Sequence, residues 1–379
     1  MKLLYITPII NGEGGIQKVL SVKTNYLIEK YDYQIDILTQ DNGNTDLFFD
    51  FNSRIGLFDM VLSQNKFLKF FQYQKQIKNQ IRHSKPDIII VCDAGIKAFL
   101  LPILIKTETP LFFEMHGSKY NESLYFKPTK INLFFRKIKY FYKGFLIKFY
   151  DRVILLSKES LQEWNIKNAI VIPNSVDKYS KNVSDLSSRK IIVIARHSYE
   201  KGIDRLLPIW QKITKKHPNW ILEIYGNGLL TNEIISQINL LKISNSVQLL
   251  NPIKNISEKY IESSIYLMTS RQEGLPMVLI EAMNFGLPCV AYDCPVGPRS
   301  VLTNNENGFL IQNDCEDDFV EAVCQLIVNK KLRIEMGEKA KINSEKYQLE
   351  PIMKQWNALF KSAIEPKSIQ IKNKNRWFF

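Results

Sequence analysis

Residues 265–298 read IYLMTSRQEGLPMVLIEAMNFGLPCVAYDCPVGP. The apolar run IYLMTS (265–270) is followed by Arg271, Gln272, Glu273 and Gly274; a longer stretch of helical character comes next, with Met277, Val278, Leu279 and Ile280 packing inward, and PCVAYD (288–293) is short and apolar again. Brief continuous apolar runs on either side of a helical stretch read as neighbouring strands of a parallel sheet covered on both faces, joined by a crossover helix. The unit predicts the α/β class.

The same pattern repeats outward. Toward the amino terminus lie KIIVIARHS (190–198), WILEIYGNG (220–228) and SVQLL (246–250), and before them KLLYITPI (2–9), YQIDILTQ (33–40), PDIIIVCDAG (86–95), PLFFEMHG (110–117), RVILLS (152–157) and AIVIPNSVD (169–177). Between the two series, DKYSKNVSDLSSRK (177–190) is polar and lacks apolar periodicity, as a linker does. A chain of 379 residues is long enough for two cores. The expected division is 1–180, 189–348 and a tail, 349–379, whose Ile352, Trp356, Leu359, Phe360 and Ala363 recur at helical spacing.

Hydrophobic residues make up 45% and charged residues 23%, the composition of a packed globular protein. The net charge of +13 points to an anionic partner: nucleic acid, lipid headgroups or a phosphorylated substrate. Five cysteines, an odd number, give no disulfide framework and imply a reducing, cytoplasmic compartment. The four histidines are scattered, without zinc-ligand spacing. MKLLYITPII reads as a first buried strand rather than a leader, and the longest apolar candidate, AFLLPILI (98–105), is far short of the ~20 residues a bilayer needs.

In open parallel sheets, ligands bind beyond the carboxyl ends of the strands, where helix amino-termini converge. After the first strand come Gly12, Gly14 and Gly15, a loop whose backbone can approach an anion, although a plain tight turn fits it equally. Neither G-x-G-x-x-G nor G-x-x-x-x-G-K-[ST] occurs. Arg196 and Lys201 follow the strand KIIVIA, the residue types that hold a diphosphate and offset its charge as it leaves. Within EGLPMVLIE, Glu273 falls in the loop and Glu281 about two turns into the helix, both able to accept hydrogen bonds from sugar or ribose hydroxyls.

These residues carry a resemblance. Residues 270–298, with GGIQKV (14–19), His116-Gly117, IPNSVD (172–177), ARHSYEKGIDRLL (195–207) and EIYGNG (223–228), resemble retaining glycosyltransferase family 4, over nearly the whole chain. The resemblance implies the GT-B fold: two Rossmann-like domains with parallel sheets facing across a cleft, an acceptor-binding first half, a donor-binding second half, and a carboxy-terminal helix crossing back to the first. It implies that Glu273 contacts the donor sugar, Glu281 the ribose, Arg196 and Lys201 the diphosphate, and Gly14 and Gly15 the phosphates. His116 lies near the transferred sugar, Gly226 belongs to the donor site, and Gly274, Leu275, Pro276 and Met277 line sugar and phosphates.

The chain departs from the family in running from SVQLL into NPIKN, and in carrying Cys294-Pro295-Val296-Gly297-Pro298 where many relatives have Gly-Gly. The second form is similar to capsular and lipopolysaccharide glycosyltransferases of bacteria. The implied reaction moves a hexose or N-acetylhexosamine, preferably from a UDP-sugar, to a glycan or lipid-linked acceptor with retention; no metal and no cofactor beyond the nucleotide-sugar donor is expected. A GT-B scaffold without turnover and a sugar-nucleotide epimerase remain alternatives. Residues 119–152 mix Lys and Arg with Phe and Tyr, which suggests peripheral contact with an anionic membrane at the inner face of the cell membrane rather than nucleic acid.

Overall fold

The computed structural model of the chain describes residues 1–40, 46–119, 130–177 and 179–365. The first half contains β1 (Lys2–Ile6), α1 (Gly15–Tyr31), β2 (Gln34–Thr39), β3 (Gly56–Asp59), α2 (Lys66–Ser84), β4 (Ile88–Val91), α3 (Ile96–Ile105), β5 (Leu111–Glu114), α4 (Lys130–Leu146), β6 (Arg152–Leu155), α5 (Lys158–Trp164) and β7 (Ala169–Val171). Its seven strands lie in the order β3-β2-β1-β4-β5-β6-β7, all parallel. The wholly buried IIIV of β4 and LFFE of β5 show why these runs are continuous rather than alternating: helices cover both faces.

The second half continues with β8 (Lys190–Ile194), α6 (Ile203–Lys216), β9 (Ile221–Tyr225), α7 (Thr231–Leu240), β10 (Val247–Leu250), α8 (Ser257–Ile261), β11 (Ile265–Met268), α9 (Met277–Asn284), β12 (Cys289–Asp293), β13 (Gly308–Gln312), α10 (Glu316–Val328), α11 (Lys330–Ser344) and α12 (Leu349–Ile364). Its six strands run β10-β9-β8-β11-β12-β13, again parallel. Each sheet reverses its order about its first strand, and at such a switch point a crevice opens beyond the strand ends.

Two strands escaped the sequence reading. GLFD of β3 is a half-exposed edge strand, and GFLIQ of β13 is an edge strand whose later residues are only partly covered, so neither shows the apolar run of an interior strand.

The halves are packed together. One hydrophobic cluster joins Leu3 and Phe112 of the first sheet to Leu279 and Met283 of α9 and to Trp356 and Phe360 of α12. Helix α12 does cross back: it packs on α1 and β4, and Tyr33 Oη donates to Asn357 Oδ1 at 2.7 Å. Among the described residues, no helix is long and apolar enough to cross a membrane.

Candidate active site

Strand β8 ends in a tight turn carrying Lys201, and β11 ends in the loop carrying Glu273; because the two strands are neighbours, their turns meet. Lys201 Nζ donates to Glu273 Oε1 at 2.7 Å, with both side chains largely buried. Gly202 lets the chain turn there. Its φ is +66°, and a Cβ would stand 2.1 Å from the Thr269 carbonyl oxygen, so only glycine fits without strain. Ala195, Lys201, Thr269, Ser270 and Glu273 line one small cavity at this junction.

The unusual Cys294–Pro298 segment lies against the same carboxylate. Glu273 and Val296 form a parallel β-bridge, and Val296 has φ +74°, a conformation that costs a β-branched residue of order 1–3 kcal/mol. The segment that departs from the family pattern is thus a strained backing for Glu273.

Helix α9 starts at Met277, after Pro276 at its N-cap, and among the described residues no side chain caps its first N–H groups. Glu281 therefore lies about one turn into the helix, not two as expected from the sequence, because Gly274, Leu275 and Pro276 remain in the loop. Its carboxylate accepts from Lys18 Nζ of α1 at 2.7 Å and from Tyr260 Oη at 3.2 Å. Burial alone lowers a lysine, but the adjacent Glu281 holds the Lys18 ammonium above its ordinary pKa. The pair spans the cleft between the two halves.

A second contact crosses the cleft at His116, just beyond β5. A Cβ on Gly274 would lie 2.2 Å from the His116 carbonyl oxygen and 3.0 Å from the Gly117 Cα, so the two backbones are almost touching. The His116 ring is buried; Nε2 lies 3.3 Å from Glu114 Oε1, and Nδ1 has no hydrogen-bond partner among the described residues. Glu114 also accepts from Lys23 Nζ, whose ammonium stands 4.1 Å from the centre of the Trp356 ring of α12. Burial pushes the Glu114 carboxyl up, but Lys23 and then His116 outweigh it and hold the group well below the usual carboxylate range.

Cys92, Glu114 and His116 are close enough to share a metal ion. The donor set is poor for one: the Glu114 carboxylate is taken by a buried ammonium, and burial pushes the Cys92 thiol far up, away from the thiolate a metal needs.

The remaining expected residues fall around this center. Gly226, after β9, lies flush against the Ala195 carbonyl, which makes its loop the neighbour of Arg196. Arg196 itself is exposed and forms no ion pair among the described residues, so it is not joined to Lys201 and Glu273 by contact. Gly14 is the N-cap of α1, whose first turn holds no acid, and around Gly15 nothing lies within 4 Å of a Cβ position. Leu275 and Pro276 are buried beneath the loop, and Met277 opens α9 half-covered.

The sequence reading missed Lys18, Lys23, Glu114 and Tyr260. A charged residue inside the apolar run PLFFE was the one visible signal for Glu114; nothing in α1 marked Lys18 and Lys23 as inward-facing.

Two doubly wound parallel sheets whose strand ends face one another, with basic and carboxylate side chains meeting between them, are the architecture of a GT-B glycosyltransferase. Residues 176–343 match the model of the family described as glycosyl transferases group 1. It is 28% identical over 370 residues to the amylovoran biosynthesis glycosyltransferase AmsD of Erwinia amylovora, covering 94% of this chain and 98% of that one. It is also 28% identical over 357 residues, 92% of this chain and 97% of the other, to an uncharacterized glycosyltransferase of Haemophilus influenzae. Among solved structures it resembles S. aureus TarM, determined with Fondaparinux, alpha-GlcNAc-glycerol and UDP: TM-score 0.73, 18% identity, 95% of this chain and 100% of that chain.

Proposed function

We propose that the protein transfers a hexose or N-acetylhexosamine from a UDP-sugar to a glycan or lipid-linked acceptor, with retention at the anomeric carbon, in assembly of a bacterial surface polysaccharide at the cytoplasmic side. The observation that carries this reading is the convergence of Lys201–Glu273, Glu281–Lys18 and His116–Gly274 on one cleft between two sheets. The UDP of the TarM complex supports uracil as the base, and the name of AmsD supports a polysaccharide product.

In the proposed reaction, the bond from the anomeric carbon to the diphosphate oxygen breaks, and the acceptor oxygen bonds to that carbon from the same face. The acceptor proton passes to the departing phosphate oxygen. Lys201 and Arg196, with the uncapped starts of α1 and α9, offset the charge that gathers on the diphosphate. Glu273 takes hydroxyls of the sugar and keeps Lys201 in place, Glu281 takes those of the ribose, and His116 stands beside the transferred sugar and stabilises the reacting end through its backbone or ring. The close approach of the halves keeps water from the reacting carbon.

The reading is tested by calorimetry against UDP-, GDP- and dTDP-sugars, and by nucleoside diphosphate release in the presence of acceptor. Lys201→Ala is expected to lower turnover by about 10²–10³-fold, as loss of a group acting on developing charge does. A variant that transfers sugar as fast as the parent would remove Lys201 from the mechanism.

A further inference from the structure

Among the described residues, helix α4 leaves a broad apolar face uncovered. Phe134, Ile138, Phe141, Tyr142, Phe145 and the adjoining Phe149 follow one another at helical spacing, and all are exposed, Phe134 by 62% and Phe141 by 72%. At 100° per residue they occupy one sector. Lys137 and Lys148 lie along one border of that sector and Lys139 along the other, all exposed, while Tyr140, Lys143 and Leu146 turn inward to the domain. The sector runs from Phe134 to Phe149, about 22 Å at the usual rise.

A second patch adjoins it. Helices α2 and α4 both pack on α3, and all three cover the same face of the first sheet. Phe67, Leu68 and Phe71 are exposed in the first turns of α2. Since each helix runs back against parallel strands, its amino-terminal turns lie at the edge where the strands end, the edge that faces the cleft. Each helix carries five Lys or Arg and no Asp or Glu.

We propose that this face of the amino-terminal half docks on an anionic phospholipid surface, with the aromatic side chains in the headgroup region and the lysines against the phosphates. The occupant is fixed by charge. A second copy of the chain would bring the same acid-free helices together, cation against cation, whereas an anionic bilayer offers apolar depth and negative charge in one plane. The contact places the cleft rim at the membrane, where a lipid-linked acceptor presents its head. That orientation deepens the acceptor side of the function proposed above and rests on it; the contact itself does not.

The test is sedimentation of the full chain with vesicles of phosphatidylcholine alone or with 30 mol% phosphatidylglycerol (~30 mol%, a typical anionic load), at low and high salt. Binding is expected to the anionic vesicles only and to weaken with salt. Phe141→Ser with Phe145→Ser is expected to lower partition by about tenfold or more, since two large apolar side chains are withdrawn. Lys137→Glu with Lys148→Glu should abolish the preference for anionic lipid, and both variants should keep UDP-sugar binding in solution. Equal binding to neutral vesicles, or undiminished binding by the Phe variant, would overturn the proposal. So would a parent dimer in light scattering that the Phe variant dissolves, since the occupant is then a second copy. Loss of UDP-sugar binding by the parent would instead count against the proposed function and leave the vesicle result standing.

Discussion

Replacing Gly274 by Ala tests whether the two halves react at the separation seen here. The added methyl would stand 2.2 Å from the His116 carbonyl oxygen, with the Gly117 Cα 3.0 Å away. Both obstacles are backbone of the opposite half, and no flexible side chain can yield. Even a tight carbon–oxygen contact is about 1 Å longer, so the cleft must open by roughly that amount at this point. Gly274 does not need a left-handed conformation, so the substitution carries no backbone penalty within its own half. The cost therefore falls on the approach of one half to the other.

A misplacement of about 1 Å between reacting groups commonly costs about 10²-fold, or about 2.7 kcal/mol of barrier. Turnover of Gly274→Ala is expected to fall by that factor. UDP affinity, measured by calorimetry without acceptor, should change by less than about threefold, because Glu281 and Lys201 belong to the donor half. Thermal unfolding should shift little. Turnover within about twofold of the parent would refute the reasoning, as would a loss of UDP affinity as large as the loss of rate, which would place the effect inside the donor site instead.

The cross-cleft pair can be measured directly: Lys18→Ala, Glu281→Ala and the double variant, compared in urea unfolding, should show a coupling of about 1 kcal/mol, the range expected for contacting, part-buried partners, and strict additivity would mean that the pair does not hold the halves together. Glu114→Gln leaves the Lys23 ammonium buried against Trp356 without its counter-charge and is expected to cost about 3–5 kcal/mol in the same assay. The Glu114 carboxyl is depressed in the folded chain, so its contribution is present above the unfolded value of about 4.3 and is lost as pH falls below it. Melting temperatures at pH 7 and at about pH 3, within the window between the unfolded and the depressed folded value, should accordingly converge in Glu114→Gln relative to the parent, and an unchanged difference would remove Glu114 from the acid response.

The interior of the fold was legible because burial on both faces writes itself as unbroken apolar sequence, as in IIIV and LFFE. The edge strands β3 and β13 were not, since one open side frees half of their positions from that constraint. The site divides along the same line. Glu273 and Lys201 could be expected to meet because each follows a strand of one sheet, and the order of parallel strands brings their turns together. Partners from the opposite half could not. Whether Lys18 reaches Glu281, or His116 meets Gly274, depends on how two rigid bodies dock, and no local periodicity encodes that. The start of α9 was misplaced because Leu275 and Pro276 are apolar and buried while still in the loop, where sequence alone shows only apolar continuity.

The charge excess acquires a location from the same comparison. Within the cleft, Lys201 answers Glu273, Lys18 answers Glu281 and Lys23 answers Glu114, so the site adds nearly nothing to the net +13. Helices α2 and α4, with five basic residues each and no acid, account for most of it. The proposed diphosphate donor therefore does not explain the basic composition: apart from the exposed Arg196, the cations it would meet are already balanced by carboxylates, and it would bind by exchanging partners with them. What the composition advertises is the outer face of the other half, and the donor chemistry rests on the few paired groups that composition cannot reveal.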